Sequence, residues 1–264
     1  MEMTRISSCT YPVRDRSVAE ALQVMAAAGL QKVDLWGNLP HFSIVSTECD
    51  LEGLRNQAAT HGVQIANLGT YPGRRFDSAD PMVQAAELQA LKATLYAAKA
   101  LGARSIRVMP GRGEDPALVD RIAPLFAEAA PLAEELGVYM GMENHAGSLA
   151  GDPVVVTRLC RAVGSAYFGV LYEPCNLMHG GVDYRHAFEV FGEHIVHVHV
   201  KDGRDRGEGW EPCHLGEGDI DYSWVVAALE SRGYQGDYAL EYEICDLEAI
   251  DTGLPRWVQT FRAL

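Results

Sequence analysis

The stretch at residues 195–202 alternates valine with basic side chains, and imidazole and ammonium groups both take part readily in catalysis and ligand binding. On a β-strand, successive side chains point to opposite faces. His197, His199 and Lys201 therefore share one face, and the valines share the other. This pattern predicts that the strand forms one wall of a metal-dependent active site.

Three other apolar stretches each end in a glutamate, namely Glu143, Glu173 and Glu241. The alternation places each glutamate on the same inward side as His199, near the C-terminal end of its strand. Three inward carboxylates in a dry site would repel one another, and one or more would have to take up a proton. A divalent cation removes this conflict, so the pattern predicts one ion held by Glu143, Glu173, His199 and Glu241.

The predicted donor set also indicates which ion binds. Carboxylates with one imidazole suit Mn²⁺, Mg²⁺ or Co²⁺ better than a thiolate-rich zinc site would, with Mn²⁺ the first choice and Zn²⁺ still compatible. Two neighbouring residues remain as alternatives. Glu243 becomes the ligand if the strand register slips by two residues. His197 lies two residues before His199, deeper in the barrel, and is predicted to support the site or to belong to the core.

The elements that must position these residues alternate regularly along the chain. Helical segments tend to end at a glycine just before the next strand, which is a common helix stop. Strict alternation of strand and helix implies parallel strands, and eight such units in about 250 residues predict a closed (β/α)₈ TIM barrel in the α/β class. Strands are predicted at residues 4–9, 32–36, 63–68, 105–109, 138–143, 167–173, 195–202 and 237–243.

No linker or low-complexity segment divides the chain, so a single domain over residues 1–264 is expected. Residues 203–219, rich in glycine and charge, are expected to form an irregular loop. The alternative fold is an open doubly wound sheet, which usually has a glycine-rich phosphate loop after its first strand. Residues 10–14 lack that loop, and this favours the barrel.

The composition and charge of the chain indicate which binding partners and which cellular compartment suit it. The formal net charge of −14 opposes nucleic-acid binding. The first nine residues lack the apolar stretch of a signal peptide, and no run approaches the roughly 20 apolar residues of a membrane span. The six cysteines are scattered without a C-x-x-C pair. These features predict a reduced, cytoplasmic enzyme with free thiols and no membrane contact.

Five motifs follow one another along the chain, namely Glu143-Asn144-His145, residues 172–176, 197–202 and 216–221, and Leu240-Glu241-Tyr242-Glu243. In this order they resemble the motifs of the xylose-isomerase-like superfamily, and the similarity runs over residues 33–243. That group includes sugar isomerases and epimerases, inosose dehydratases, hydroxypyruvate isomerases and apurinic endonucleases. Its single-metal epimerases hold their ion with Glu, Asp, His and Glu, which correspond here to Glu143, Glu173, His199 and Glu241. The second position departs from the family pattern, because Glu-Pro-Cys-Asn replaces Asp-Pro-Gly-Asn.

The endonuclease branch of this superfamily differs from the chain at several motifs. Those enzymes bind three zinc ions with added histidines, one of them in a His-Pro-Gly turn after the fourth strand. Met109-Pro110-Gly111 stands there in this chain, and the third strand also ends without histidine. The late Asp-Arg-His element is missing too. The comparison of motifs therefore argues against a three-metal nuclease.

The resemblance implies a metal-dependent isomerase or epimerase that acts on a ketose or related polyol through an enediolate. Glu143 and Glu241 would each be both a metal ligand and a member of the acid/base pair. Two alternatives stay open: a lyase or dehydratase acting on a keto-sugar or inosose, and a barrel or subunit that binds sugar without turnover. A homo-oligomer is also open, since relatives often pair. The expected substrate contacts are Trp36, His145, Asn176, Lys201 and Arg206.

Overall fold

The computed structural model describes residues 1–207 and 209–264, and eight parallel strands form a nearly closed barrel in it. The strands are β1 (Ile6–Ser8), β2 (Lys32–Trp36), β3 (Gln64–Gly69), β4 (Ser105–Val108), β5 (Tyr139–Glu143), β6 (Phe168–Tyr172), β7 (Ile195–Val200) and β10 (Tyr238–Leu240). Around the barrel their order is β1, β10, β7, β6, β5, β4, β3 and β2. A parallel bridge between Cys9 and Asp34 brings β1 and β2 together, and the Thr10 amide donates to the Asp34 carbonyl at 2.9 Å.

The sequence prediction of a (β/α)₈ barrel is thus confirmed, and the open doubly wound sheet is wrong. Helices connect the strands on the outside. The helices are α1 (Val18–Ala27), α2 (Leu51–Thr60), α3 (Pro81–Leu101), α4 (Val119–Leu136), α5 (Pro153–Val163), α6 (Pro174–His179), α7 (Tyr184–Phe191), α8 (Tyr222–Ser231) and α9 (Ile250–Arg262). Several of them begin at an aspartate or serine cap, and α3, α4 and α5 end at a glycine with positive φ.

The apolar core lies between the sheet and the helices, whereas the barrel interior carries polar side chains joined by hydrogen bonds. The Ser105 hydroxyl donates to Asn67 Oδ1 at 2.8 Å, and the Ser7 hydroxyl donates to Asp34 Oδ1 at 2.8 Å. These bonds satisfy polar groups that are fully or almost fully buried. Among the described residues, no helix is long and apolar enough to cross a membrane.

The prediction of an irregular loop at residues 203–219 is wrong for part of that segment. Two antiparallel strands, β8 (Asp202–Asp205) and β9 (Trp210–Cys213), form a hairpin there. The Asp202 carboxylate accepts hydrogen bonds from the amides of Gly203, Gly216, Gly218 and Ile220 at 2.9–3.4 Å. The Trp210 indole lies directly against Gly203, where no β-carbon would fit. Side-chain contacts therefore order a segment whose composition predicts a loop.

Candidate active site

Three of the four predicted metal ligands meet at the C-terminal end of the barrel, where TIM-barrel active sites lie. Glu143 is the last residue of β5, His199 lies on β7 and Glu241 directly follows β10. His199 Nδ1 is 3.3 Å from Glu143 Oε1 and 3.6 Å from Glu241 Oε1. One donor atom from each residue lies within 4.8 Å of the other two. We call these three residues the ligand cluster.

The His199 ring is oriented as a metal ligand would be. Its Nδ1 atom is buried and has no hydrogen-bond partner among residues 1–207 and 209–264. Its other nitrogen, Nε2, lies 3.5 Å from Asp34 Oδ2 and 3.7 Å from Cys9 Sγ. Metal-binding histidines usually give their second N–H to a carboxylate, which leaves the first nitrogen's lone pair for the ion. The geometry of His199 fits that arrangement.

The electrostatics of the cluster also fit a cation. Burial favours neutral His199, but the neighbouring Cys9, Glu241 and Asp34 outweigh this effect and raise the pKa of His199 well above its usual value. The same negative charge is what a divalent ion would neutralise. The cluster therefore has the donors and the charge that a resident cation requires.

Asp34 is a site residue that the sequence analysis missed. Burial would raise the pKa of its carboxyl, but the charges and hydrogen bonds of His197 and His199 outweigh burial and hold this pKa well below the usual range. His197 Nε2 lies 2.6 Å from Asp34 Oδ2, in line with the predicted supporting role of His197. Within β2, Val33 and Leu35 face the helices, so alternation alone could have placed Asp34 inside the barrel.

Arg107 on β4 is a second residue that was missed, although Ile106 and Val108 on either side of it are buried and apolar. Its Nη1 donates to Glu143 Oε2 at 2.7 Å, and its guanidinium carbon is 4.4 Å from the centre of the Tyr71 ring. Burial alone would raise the pKa of Glu143, but Arg107 and then His199 outweigh burial and hold this pKa well below the usual range. Arg107 thus keeps Glu143 ionised.

Glu173, the fourth predicted ligand, has a different set of contacts. Its carboxylate caps α6 and accepts hydrogen bonds from the amides of Cys175 at 2.8 Å and Asn176 at 3.0 Å. Burial raises the pKa of Glu173 to about 8, and the nearby Lys201 only partly offsets this rise. Glu173 does not belong to the ligand cluster as the described residues define it.

Lys201 connects the carboxylates on this side of the site. Its Nζ donates to Glu241 Oε2 and Glu243 Oε2, both at 2.9 Å, and lies 3.4 Å from Glu173 Oε2. Burial would lower the pKa of Lys201, but Glu173 and the other carboxylates raise it well above its usual value. The side chain is therefore a protonated ammonium group held within a set of acids.

A cavity of about 300 Å³, which we call the first cavity, opens above the ligand cluster. Among the predicted substrate contacts, Trp36, His145, Asn176 and Lys201 line it. Arg206 does not, since it is exposed on the hairpin and its Nε donates to Glu211 Oε2 at 3.0 Å. The other lining residues include Tyr11, Tyr71, Arg74, Arg107, Ser148 and Glu243.

Solved structures share this fold at low sequence identity. One is a xylose isomerase domain containing protein from Salmonella typhimurium LT2, with 21% identity, a TM-score of 0.74 and coverage of 99% of this chain and 98% of that one. A D-psicose 3-epimerase structure determined in the presence of D-fructose has 15% identity, a TM-score of 0.76 and coverage of 98% of both chains. A xylose isomerase-like TIM barrel protein from Mycobacterium smegmatis, in complex with magnesium, has 17% identity and a TM-score of 0.75, and the match covers 95% of this chain and 91% of that chain.

The sequence comparison gives the family directly. No curated protein matches the sequence significantly. Residues 22–260, however, match the family described as xylose isomerase-like TIM barrel. That match spans most of the eight-stranded barrel and includes all three residues of the ligand cluster. The chain belongs to the xylose isomerase-like TIM barrel family.

Proposed function

We propose that this protein is a divalent-metal-dependent isomerase or epimerase acting on a ketose or related polyol. The observation that carries the proposal is the unpartnered, buried His199 Nδ1, which lies between the carboxylates of Glu143 and Glu241 beneath the first cavity. The related D-psicose 3-epimerase supports the choice of a ketose as the substrate class.

Glu143, His199 and Glu241 would hold the ion, with Glu173 as the fourth ligand and Mn²⁺ as the first choice. When bound, such an ion polarises a carbonyl and its neighbouring hydroxyl as a Lewis acid and orients them for reaction. The magnesium complex of the Mycobacterium smegmatis relative supports a divalent ion in this family. Glu173 would have to ligate while its carboxylate still caps α6, which is feasible because a carboxylate has about four lone-pair sites.

The protein's own residues would move the proton. One of Glu143 and Glu241 takes the proton from the carbon next to the carbonyl, and the other returns one to the resulting enediolate. Return to the opposite face of the same carbon gives an epimer, and return to the neighbouring carbon gives an aldose–ketose isomer. Arg107 keeps Glu143 ionised and ready to act as a base, and Lys201 fixes Glu241 by its 2.9 Å hydrogen bond.

The substrate would be held between aromatic and polar walls. Trp36 Nε1 donates to the Tyr71 hydroxyl at 3.0 Å, and both rings line the first cavity. Aromatic faces suit the apolar C–H faces of a sugar. His145, in the loop after β5, and Asn176, on α6, also line the first cavity and would bind hydroxyl groups.

The test is exchange of the substrate C–H with solvent deuterium, followed by NMR across a panel of ketoses with the Mn²⁺-loaded protein. Glu143→Gln and Glu241→Gln should each slow exchange by about 10²–10⁴-fold, the usual contribution of a general acid or base. Glu248→Gln is the control, because Glu248 pairs with Arg256 at 2.8 Å outside the first cavity. Exchange that persists in both active-site variants would refute the proposal.

A lyase or dehydratase on a keto-sugar is the second candidate. The ammonium of Lys201, held beside Glu241, favours it because a fixed cation can hydrogen-bond a departing oxygen and stabilise the negative charge that develops on it. Mass spectrometry distinguishes the two reactions, since a dehydratase product is lighter by one water and an epimer has unchanged mass. Tight sugar binding with neither exchange nor mass loss would instead identify a non-catalytic sugar-binding barrel.

A further inference from the structure

A second cavity of about 300 Å³ adjoins the first on the side of Glu241. Because the two cavities share lining residues, they are neighbours, and the ligand cluster lines the first of them. Glu143 and His199 line only the first cavity, whereas Glu241 lines both. The shared residues are His145, Asn176, Lys201, Glu241 and Glu243.

The far wall of the second cavity differs in character from the ligand cluster. Trp210 and Pro212 from β9 face it together with His179 from α6, and the Trp210 and His179 rings are nearly parallel at 20° with their centres 6.5 Å apart. Ile244 and Trp257, which are almost fully buried, form the floor. This wall offers mainly aromatic and apolar surface.

The Trp210 and Trp257 rings, which we call the aromatic wall, are held in place by their contacts. The Trp210 indole, on β9, packs directly against Gly203 on the neighbouring strand β8, which has no side chain to keep the ring away. Trp257 Nε1 donates to His214 at 3.2 Å, and its ring packs edge-on against Tyr242 with centres 4.9 Å apart. Rings that are held in this way lose little conformational freedom on binding a ligand.

We infer that the second cavity binds a second ring carried by the substrate, and that the substrate is a ketose with a glycosyl or aryl substituent. This inference rests on the proposed function, because the reacting sugar would occupy the first cavity. The polar residues shared by the two cavities, above all Asn176 and Lys201, would face the oxygen that links the rings. The aromatic wall would stack on the substituent.

Size supports the assignment of a substituted sugar. Ligand pockets span about 300–1,000 Å³, and the first cavity alone is at the lower limit of that range. On this inference, a free six-carbon ketose that reacts at Glu143 and Glu241 would occupy the first cavity and leave the second cavity, lined by Trp210, to solvent. A sugar with a second ring fills both cavities and covers the apolar wall, which would otherwise face water.

The test measures binding to the full-length, Mn²⁺-loaded protein by titration calorimetry. The three probes are D-fructose, 6-O-glucosyl-D-fructose and 6-O-phenyl-D-fructose, so that the experiment separates a glycosyl from an aryl substituent. At least one substituted probe should bind about tenfold more tightly than D-fructose, which corresponds to one good aromatic contact. This preference is measured as the ratio of the dissociation constant of D-fructose to that of the substituted probe. The Trp210→Ala and His179→Ala variants should lose most of it.

Trp224→Ala is the matched control, because this tryptophan packs on Tyr184 and Phe188 and does not line either cavity. The preference should persist in it. His179 is exposed on a short helix, so its variant tests the inference even if loss of Trp210 disturbs the hairpin. The inference would be overturned if both substituted probes bind no more tightly than D-fructose or do not bind at all. It would also be overturned if the preference is unchanged in both Trp210→Ala and His179→Ala. Tight binding of a substituted probe without deuterium exchange would support the second cavity while refuting the proposed reaction.

Discussion

Arg107→Met tests whether the charge balance of the ligand cluster is maintained by Arg107 when no ion is bound. In the wild-type protein, Arg107 donates to Glu143 Oε2 at 2.7 Å and to the carbonyls of Thr70 and Gly69 at 3.2 and 3.3 Å. The Arg107 and Glu143 side chains are only 14% and 11% exposed, so solvent screens the pair weakly. Methionine keeps much of the volume and removes the charge.

The expected loss of stability has two parts. An uncompensated buried carboxylate costs about 3 kcal/mol, at the low end of the usual range because His199 remains near Glu143. The two lost bonds to carbonyls cost about 1 kcal/mol each. In chelator the variant should therefore be about 5 kcal/mol less stable, which lowers Tm by roughly 10–20 °C at about 2–4 °C per kcal/mol.

A divalent ion should reverse only the first part, because it neutralises Glu143 but does not replace the bonds to the carbonyls. With saturating Mn²⁺ the deficit should shrink to about 2 kcal/mol, or roughly 4–8 °C in Tm. Differential scanning calorimetry with chelator and with Mn²⁺ measures both values. If Arg107→Met loses the same Tm in chelator and in Mn²⁺, the charge argument is refuted.

Arg104→Met is the matched control for this experiment. Arg104 lies just before the same strand, stacks on Tyr139 at 4.5 Å and donates to the Val196 carbonyl at 3.1 Å. It therefore resembles Arg107 in burial and ring contact, but it has no carboxylate partner among the described residues. Its loss of Tm should be the same with and without the ion.

Three further predictions concern other residues. Asp34→Asn should weaken Mn²⁺ binding by about 10–100-fold in titration calorimetry, since it removes the carboxylate behind His199, whereas Ser7→Ala should change the affinity by less than about threefold. Glu173→Gln should lower the Mn²⁺ affinity at least about tenfold if Glu173 is the fourth ligand. An unchanged affinity would mean that Glu173 caps α6 and does not bind the ion. In thiol labelling at pH 8 followed by mass spectrometry, exposed Cys245 should react in the folded protein, while Cys160, whose pKa burial raises to about 12, should react only after denaturation.

The barrel could be predicted because its signals are local. Alternating apolar positions and helix-ending glycines recur in most of the units, and the structure confirms eight parallel strands. The short helix α6 escaped prediction because Glu173, which caps it, is not among the residues preferred at that position. The hairpin escaped prediction because its order depends on specific side-chain contacts of Asp202 and Trp210, which composition does not reveal.

The ligand cluster could be predicted in part for a related reason. Side-chain alternation placed Glu143, His199 and Glu241 on the inner face, and parallel strands bring their C-terminal ends together. Arg107 and Asp34 obey the same alternation, but the pattern that was used, a glutamate at the end of a strand, does not select them because β2 and β4 do not end in glutamate. Arg206 could not be placed, because the conformation of a long connection is not encoded in spacing along the chain.

The Asp202 carboxylate has a consequence for how this protein can evolve. By binding the amides of Gly203, Gly216, Gly218 and Ile220, it closes the segment that contains the hairpin before the chain enters α8. Insertions or deletions between β8 and β9 therefore need not move the strands that carry Glu143 and His199. We expect natural variation to concentrate in this segment, so that new substrates are acquired by exchanging the hairpin while the reaction centre is inherited unchanged.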